Sequence, residues 1–389
     1  MSPLESCLHE FRCARCDAAA DPDRLQTFCT CGGTWLAGYD LERAARTLDR
    51  PAFAAREPGL WAHPEMMPVR DPARRRGLGE GGTPLLRARR VRPELNLRFK
   101  DEGWNPGGSF KARGMAAAVA RAAELGARAL ALPSAGNAGA AAAAYGALWN
   151  LPVHVALPAE TPEPFRAEIA AHGARCYDVD GDIARAGAWL ADHDEAPGWF
   201  FLSTLKEPYR VEGKKTMGYE LVRQLGGRWP RTVVYPTGGG TGIVGMDKAD
   251  RELRALGLVE GPPPQFVIVQ AEGCAPLVRA YEEGLDHAPR WENPVTAAAG
   301  LRVPGTIGDH LILDAVRRTG GTALTVTEAE IRDAQVRLGR EEGIYAAPEA
   351  AATLAAADRL LESGWLAPGA EVVLLLTGNG FKYPAPEPA

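Results

Sequence analysis

Long apolar runs are absent from this 389-residue chain; the longest alanine-rich stretch, residues 138–144, is far shorter than the ~18 residues that a membrane span needs. The first residues, MSPLESCLHEF, include acidic side chains and no apolar leader, so secretion is not expected. Positive charge is not in excess either, because the formal net charge is −5, which argues against nucleic acid or a membrane as a partner. With 46% hydrophobic and 24% charged residues, the composition indicates a soluble globular protein, which we expect in the cytoplasm.

Lysine is scarce, because only seven of the 44 basic residues are lysine. A lysine retained in such an arginine-rich chain is informative, since its amine can form an imine with an aldehyde and a guanidinium group cannot under mild conditions. Lys111 follows the loop sequence NPGGSF and is predicted to lie in the first turn of a helix with Ser109 as its N-cap. The positive end of a helix lowers the pKa of an amine, which favours a nucleophile. A surface lysine at a helix start is the alternative.

Five of the seven cysteines fall within the first 31 residues. Cys13, Cys16, Cys29 and Cys31 follow the spacing C-x2-C-x12-C-x-C, and two short thiol pairs separated by a turn suit a tetrahedral zinc ribbon. The alternatives are a ribbon that no longer binds metal and a set of catalytic thiols, while a cytoplasmic location disfavours disulfides. We expect these four cysteines to be structural zinc ligands that are distant from the chemistry.

From about residue 95 onward, short apolar segments alternate with helical patterns, which predicts parallel sheets covered by helices on both faces. The predicted fold class is α/β, with two open, twisted, mainly parallel sheets and a small cysteine-rich element before them. The predicted domains are a zinc-ribbon-like element of residues 1–49, a large α/β domain of residues 50–115 and 216–389, and a small α/β domain of residues 116–215.

Four loops that follow predicted strands are candidate ligand sites, because ligands of open α/β sheets bind beyond the carboxyl ends of the strands. One is KDEGWNPGGSFKARG (100–114), which contains Lys111. Another is SAGNAG (134–139), where backbone N–H groups and the Asn137 amide can meet an anion. The last is TGNG (377–380), where Thr377 offers a hydroxyl to a heteroaromatic nitrogen. At each loop, a plain turn is the alternative.

The remaining loop, PTGGGTGIVG (236–245), follows a strand and opens a predicted helix. Its consecutive glycines let the backbone approach a ligand closely, and the helix start supplies N–H donors for a phosphate. The letters GTGIVG also fit a dinucleotide-binding pattern, but the acidic residue expected ~20 positions further on is not evident. A single small phosphate therefore fits this loop better than a pyrophosphate.

Together these loops resemble those of pyridoxal-phosphate (PLP) enzymes of fold type II, and most closely those of the threonine synthase family. The resemblance rests on six motifs that occur in the order of the family and span about 300 residues: LGEGGTPL (78–85), KDEGWNPGGSFKARG (100–114), SAGNAG (134–139), PYRVEGKKTMGYEL (208–221), PTGGGTGIVG (236–245) and TGNGFK (377–382). The cysteine ribbon also looks like one that many threonine synthases carry.

The resemblance implies that PLP is the cofactor and that the large domain binds it. Lys111 would hold PLP as an imine and then move protons on the substrate carbons, so it is the expected catalytic residue. Asn137 would hydrogen-bond the phenolic oxygen of the ring, and Thr377 would face the ring nitrogen. The phosphate of PLP would be held by Gly238, Gly239, Gly240, Thr241 and Gly242.

The resemblance further implies a homodimeric lyase of amino-acid biosynthesis that converts O-phospho-L-homoserine and water to L-threonine and phosphate. The substrate carboxylate would lie on the loop of Ser134, Ala135 and Gly136. A second phosphate needs further cations, and the expected ones are Arg210, Lys214 and Lys215.

Two departures from the family put substrate identity in doubt: Gly107 stands where threonine is usual, and FKY (381–383) stands where LKD is common. The alternative function is therefore a PLP-dependent serine or threonine dehydratase, or a β-replacing synthase that acts on another activated amino acid. A binding protein without catalysis would require the loss of Lys111 or of the phosphate loop, and both are present.

Overall fold

The computed structural model describes residues 4–386, and within them the chain forms two compact units. The first unit comprises the chain up to Gly82 together with Lys111–Thr216. The second comprises Thr83–Phe110 together with the chain from Met217 onward. None of the helices within residues 4–386 combines the length and the apolar character that crossing a membrane requires.

Strands and helices alternate along most of the chain. The strands are β1 (Leu8–Cys13), β2 (Ala19–Ala20), β3 (Trp35–Tyr39), β4 (Leu85–Arg87), β5 (Asn96–Asp101), β6 (Leu130–Pro133), β7 (Val153–Pro158), β8 (Arg175–Val179), β9 (Phe200–Phe201), β10 (Thr232–Pro236), β11 (Gln265–Ala271), β12 (Thr322–Val326) and β13 (Glu371–Leu376). The helices are α1 (Leu41–Ala45), α2 (Arg50–Ala55), α3 (Lys111–Glu124), α4 (Asn137–Leu148), α5 (Glu163–Ala171), α6 (Ile183–Ala191), α7 (Tyr209–Gln224), α8 (Thr241–Ala255), α9 (Pro276–Glu282), α10 (Asp309–Arg318), α11 (Glu328–Arg337) and α12 (Pro348–Glu362).

The first unit contains two sheets. One is the antiparallel sheet of the cysteine-rich element, in the order β2-β1-β3, and the other is a parallel sheet in the order β8-β7-β6-β9. All six residues of β7 are buried, which explains why its sequence is apolar throughout rather than alternating. The alanine-rich helices α3 and α4 belong to the same core, and their small side chains, such as Ala116 and Ala140, are completely or almost completely buried.

Residues 50–82 lie in the first unit, whereas the predicted domain boundaries placed them with residues 216–389. Contacts distant in sequence attach this segment. The backbone N–H of Cys7 donates to the carbonyl of Glu65 at 2.8 Å, and the hydroxyl of Tyr145 on α4 donates to the Glu80 carboxylate at 2.6 Å. The cysteine-rich element is likewise part of this unit, because the hydroxyl of Thr34 donates to the carbonyl of Leu205 at 2.8 Å.

The second unit is built on a six-stranded sheet in the order β12-β11-β10-β13-β5-β4. All neighbouring strands are parallel except β4, which pairs antiparallel with β5 at one edge. The α/β class with two mainly parallel sheets is therefore confirmed. Strands β1 to β4, β9 and β12 were not predicted; β2 and β9 have two residues each, too few for any sequence pattern to show.

Lys100 is one of the retained lysines, and its role is structural. Its side chain is completely buried in the second unit, where Nζ donates to the Glu220 carboxylate at 2.7 Å, to the carbonyl of Thr83 at 2.7 Å and to the amide oxygen of Gln224 at 3.0 Å. A buried ammonium group needs such partners, because desolvation without them is costly. The scarcity of lysine therefore does not by itself identify a catalytic lysine.

Candidate active site

Two of the four predicted loops meet at one edge of the six-stranded sheet, within the second unit. Ser109 and Gly378 form an isolated antiparallel bridge, and the N–H of Phe110 donates to the carbonyl of Thr377 at 3.0 Å. The N–H of Asn379 donates to the carbonyl of Gly108 at 2.9 Å. These contacts exist because β5 and β13 are neighbouring parallel strands, so their carboxyl ends lie side by side.

Ser109, the predicted N-cap, lies two residues before the first residue of α3. The helix α3 begins at Lys111, so the residue directly before it is Phe110. Ser109 has φ −155° and ψ 156°, and its pairing with Gly378 keeps it in this extended conformation. Lys111 is the first residue of α3 and is partly exposed, as its predicted place in a first helical turn requires.

Gly107, where the family usually has threonine, adopts a backbone conformation that favours glycine. Its φ is 67° and its ψ is 12°, a left-handed conformation that a β-branched threonine adopts only under strain. The ammonium group of Lys382 donates to the carbonyl of Gly107 at 2.6 Å and so holds the loop that leads to Lys111. Lys382 is common to FKY and to the family's LKD, so this contact joins Gly107 to a residue that the family shares.

The SAGNAG loop forms a tight turn between β6 and α4 in the first unit. The hydroxyl of Ser134 accepts hydrogen bonds from the N–H groups of Gly136 at 3.2 Å and Gly139 at 2.8 Å. This buried hydroxyl therefore closes the turn, while Ala135, Gly136 and Asn137 are partly exposed. Asn137 is the first residue of α4, a position where its amide and nearby backbone N–H groups can meet an anion.

The glycine loop between β10 and α8 forms a cradle of backbone atoms, which side chains at its glycine positions would fill. A Cβ atom at Gly238 would lie 2.2 Å from the carbonyl oxygen of Gly300, and one at Gly240 would lie 2.0 Å from Cδ1 of Ile312. Gly240 also has φ 77°, and a Cβ at Gly242 would lie 2.1 Å from the hydroxyl of Tyr235. The loop can therefore present its backbone N–H groups at the start of α8, as a phosphate site requires.

Thr377 follows β13 directly and is almost completely buried. Its carbonyl accepts from Phe110, but its hydroxyl forms no hydrogen bond with any residue in the described range 4–386. A hydroxyl without a partner inside the protein can donate to a ligand, and the nitrogen of a pyridine ring can accept. The glycine cradle and this hydroxyl both fit PLP.

A cluster of buried charges lies along the first turns of α3 and α7, in the first unit. It contains the three predicted cations, two carboxylates from residues 207–215 and one arginine of α3 that sequence analysis missed: Arg113, Glu207, Arg210, Glu212, Lys214 and Lys215. Each has at most 3% of its surface exposed, so the cations are not a solvated helix face. The signal for Arg113 was its position in the same helical turn as Lys111.

Two members of this cluster, Lys215 and Glu212, contact the cysteine-rich element. The Nζ of Lys215 lies 2.6 Å from the Glu212 carboxylate and 4.0 Å from the centre of the Tyr39 ring. The hydroxyl of Tyr39 donates to Glu212 at 2.7 Å. Tyr39 belongs to β3 of the cysteine-rich element, so this element contacts Lys215, one of the predicted cations.

Arg210 has donor capacity that the protein does not use. Its Nη1 donates to the carbonyl of Leu202 at 2.8 Å, whereas its buried Nε has no hydrogen-bond partner in the described part of the chain. Glu207 lies 4.0 Å from Nε. Burial raises the pKa of Glu207 to about 7, against the opposing effects of Arg210 and of the N–H groups of Arg210 and Tyr209. The negative charge beside Arg210 is thereby weakened near neutral pH.

The four predicted zinc ligands converge at one end of the cysteine-rich element. Their Sγ atoms all lie within 4.8 Å of one another, with Cys13 and Cys31 at 3.5 Å and Cys16 and Cys29 at 3.7 Å. Tetrahedral Zn²⁺ with Zn–S bonds of about 2.3 Å places sulfur atoms ~3.8 Å apart, so the thiols fit this ion. The N–H of Cys31 lowers the pKa of Cys29 to about 7, which favours the metal-binding thiolate.

Comparison with known proteins agrees with this geometry. The sequence profile of the family described as pyridoxal-phosphate dependent enzyme matches residues 77–378, so the chain belongs to that family. Within it, the chain is a member of the threonine synthase group. It is 33% identical over 96% of its length to the threonine synthase of Methanocaldococcus jannaschii and 34% identical over 97% to that of Methanosarcina acetivorans, and it covers 93% of each.

Solved structures confirm the fold. A threonine deaminase from T.th. is 26% identical, with a TM-score of 0.62 over 76% of this chain and 92% of that one. Maize serine racemase gives a TM-score of 0.67 at 21% identity over 76% of this chain and 88% of that one, which supports the fold alone.

We expect Gly240→Ala to destabilise the glycine loop more than Gly257→Ala does. Both glycines have positive φ, which costs alanine about 1–2 kcal/mol, but a Cβ at Gly257 meets no atom within 4 Å. The overlap with Ile312 should cost Gly240→Ala about 1–3 kcal/mol more. Free energies of unfolding from urea titrations measure the difference. Equal losses of stability in the two variants would show that the glycine loop has room for a Cβ atom at residue 240.

Proposed function

We propose that this chain is a PLP-dependent lyase of the threonine synthase type that converts O-phospho-L-homoserine and water to L-threonine and phosphate. The observation that carries the proposal is the position of Lys111 as first residue of α3, in a chain that matches threonine synthases over nearly its whole length. A homodimer and a cytoplasmic location are part of the proposal and remain predictions.

In this proposal four parts of the chain hold the cofactor: Lys111, Asn137, the 238–242 loop and Thr377. The N–H groups of the glycine loop would bind the phosphate of PLP, and the Thr377 hydroxyl would bond the ring nitrogen. PLP supplies an electron sink for the carbanion character that develops on the substrate. A hydroxyl, unlike a carboxylate, does little to keep the ring nitrogen protonated. This limits how far the cofactor can delocalise carbanion character.

The amine of Lys111 carries the protons in this reaction. Elimination of phosphate and addition of water both require protons to leave and return to neighbouring substrate carbons, and a positioned amine serves as base and then as acid. The bonds from Gly378 and Lys382 to the 107–109 loop fix the chain that leads to Lys111. Ala135 and Gly136 offer their backbone to the substrate carboxylate, with Ser134 holding the turn.

The phosphate of the substrate is assigned to the cations of α7. Arg210 is the strongest candidate, because its buried Nε has no hydrogen-bond partner in the described part of the chain and charge-assisted bonds to phosphate suit a guanidinium group. Lys214 lies one turn further along and is completely buried. Lys215 contributes indirectly, since its ammonium group is paired with Glu212.

The second candidate is a dehydratase, which the likeness to a threonine deaminase at 26% identity favours. A panel of substrates separates the two functions. A threonine synthase releases inorganic phosphate from O-phospho-L-homoserine and forms L-threonine, whereas a dehydratase releases ammonia and a 2-oxo acid from serine or threonine. Faster turnover of serine or threonine than of O-phospho-L-homoserine would overturn the proposal.

Lys111→Ala should abolish turnover, because both proton transfers and attachment of the cofactor depend on this amine. We expect less than about a thousandth of the wild-type kcat, measured as phosphate release, and loss of the absorbance of lysine-bound PLP. Lys206→Ala removes an exposed lysine and should leave both readouts unchanged. Residual activity above a thousandth of the wild-type kcat in folded Lys111→Ala would show that Lys111 is not the catalytic amine.

Arg210→Lys should weaken recognition of the substrate phosphate while keeping a positive charge beside Glu207. Loss of one charge-assisted contact, about 1.5–3 kcal/mol, lowers kcat/KM for O-phospho-L-homoserine about ten- to a hundredfold. Affinity for L-threonine, which has no phosphate, should not change. The absorbance of the cofactor measures this affinity. Arg46→Lys, at an exposed arginine of the same unit, is the control. Equal losses for both compounds would mean that Arg210 is structural.

The proposal includes a structural Zn²⁺ held by the four cysteine thiols, whose Sγ distances suit it. Cys13→Ser together with Cys16→Ser should lower the zinc content by one per chain and lower the melting temperature, because a bound ion stabilises the folded state. The absorbance of PLP in folded protein should remain. Cys176→Ser, at an isolated exposed cysteine, is the control. Unchanged zinc content in the double variant would refute this site.

A further inference from the structure

A second cluster of metal-ligating side chains lies in the second unit, far along the sequence from the cysteines. It comprises His287, Asp309 and His310, and one ligand atom from each lies within 4.8 Å of the others. The Nδ1 of His287 is 3.3 Å from the Asp309 carboxylate, and the Nδ1 of His310 is 3.5 Å from the same oxygen. Two imidazole rings therefore converge on one carboxylate oxygen.

His310 is the unusual member of this cluster. Both of its ring nitrogens are inaccessible to solvent, and neither has a hydrogen-bond partner in the described part of the chain. Every imidazole has two polar nitrogens, and buried polar atoms are normally satisfied by a partner. The proximity to Asp309 does not supply one, since the contact lacks the geometry of a hydrogen bond. A ligand at this position would remove the deficit.

The carboxylate is held in place by bonds that leave it available as a ligand. One oxygen of Asp309 accepts from the N–H of Ala288 at 2.8 Å, and the other accepts from the N–H of His310 at 2.8 Å. Such hydrogen bonds fix the orientation of a metal-binding carboxylate. The side chain of His287 is 57% exposed, so a hydrated ion can reach the cluster from solvent.

We propose that His287, Asp309 and His310 bind a divalent transition-metal ion, with water completing its coordination. Imidazole and carboxylate ligands together suit Zn²⁺, Ni²⁺ or Cu²⁺ rather than Mg²⁺ or Ca²⁺, which prefer oxygen ligands alone. Ligand atoms around such an ion lie about 3 Å apart, so the existing contacts near 3.5 Å need only small side-chain rotations to reach that geometry.

The position of this site gives it a structural role. The ion would join the two ends of the segment 287–309, and this segment forms the wall of the glycine loop. The carbonyl of Gly300 closes on Gly238, and the hydroxyl of Thr306 donates to the carbonyl of Gly239 at 3.1 Å. Metal binding should therefore stabilise the support of the 238–242 loop, independently of which reaction the protein catalyses.

Zinc content tests the proposal in tag-free holoenzyme dialysed against Zn²⁺ alone. His287→Ala should bind one equivalent less Zn²⁺ than the wild type, or bind it at least tenfold more weakly, because one of three ligands is removed. His172→Ala removes an exposed histidine of the first unit and should match the wild type. The comparison is unaffected by the cysteine cluster, since all three proteins retain it.

His310→Ala should show the same deficit, and His310→Gln serves if the alanine variant does not fold. Added Zn²⁺ should raise the melting temperature of the wild type by a larger increment than that of His287→Ala. Zinc content in His287→Ala equal to that of the wild type would overturn the site. Equal melting increments in the wild type and His287→Ala would overturn the structural role.

Discussion

The parallel pairing of β5 with β13 is the constraint on which the second unit depends. Six consecutive residue pairs, from Asn96 with Glu371 to Asp101 with Leu376, join segments that are 275 positions apart in the chain. Parallel strands end at the same edge, so the loop of residues 106–110 and the turn of residues 377–380 must meet there. The bridge between Ser109 and Gly378 and the bond from Lys382 to Gly107 follow from this pairing.

Both units contain buried charged side chains. Lys100 is matched by Glu220, whereas the α7 segment of the first unit holds Arg210, Lys214 and Lys215 against two carboxylates. Buried ion pairs contribute little to stability after desolvation, so retaining several of them favours a functional explanation. The cysteine-rich element takes part through the contact of Tyr39 with Glu212, which gives a folded ribbon a direct influence on this cluster.

The sequence predicted more of the local structure than of the contacts. Strands β7, β10 and β13 were recognisable because strands buried on both faces are apolar throughout, and the start of α4 at Asn137 followed from a turn-rich segment. It missed β9, which is too short for a pattern. The pairing with Gly378 that keeps Ser109 extended involves residues that sequence periodicity cannot relate.

The sequence alone determined the order of the motifs, the family, the glycine loop and the identity of Lys111, because each depends on residue type at short spacing. Tertiary structure alone decided which distant residues came into contact and which charged side chains were buried. Lys100 became a buried structural cation, residues 50–82 joined the first unit, and His287 met His310 across 22 intervening residues. Such outcomes depend on which distant groups share a low-dielectric interior, and the chain encodes them through packing of the whole rather than through any local pattern.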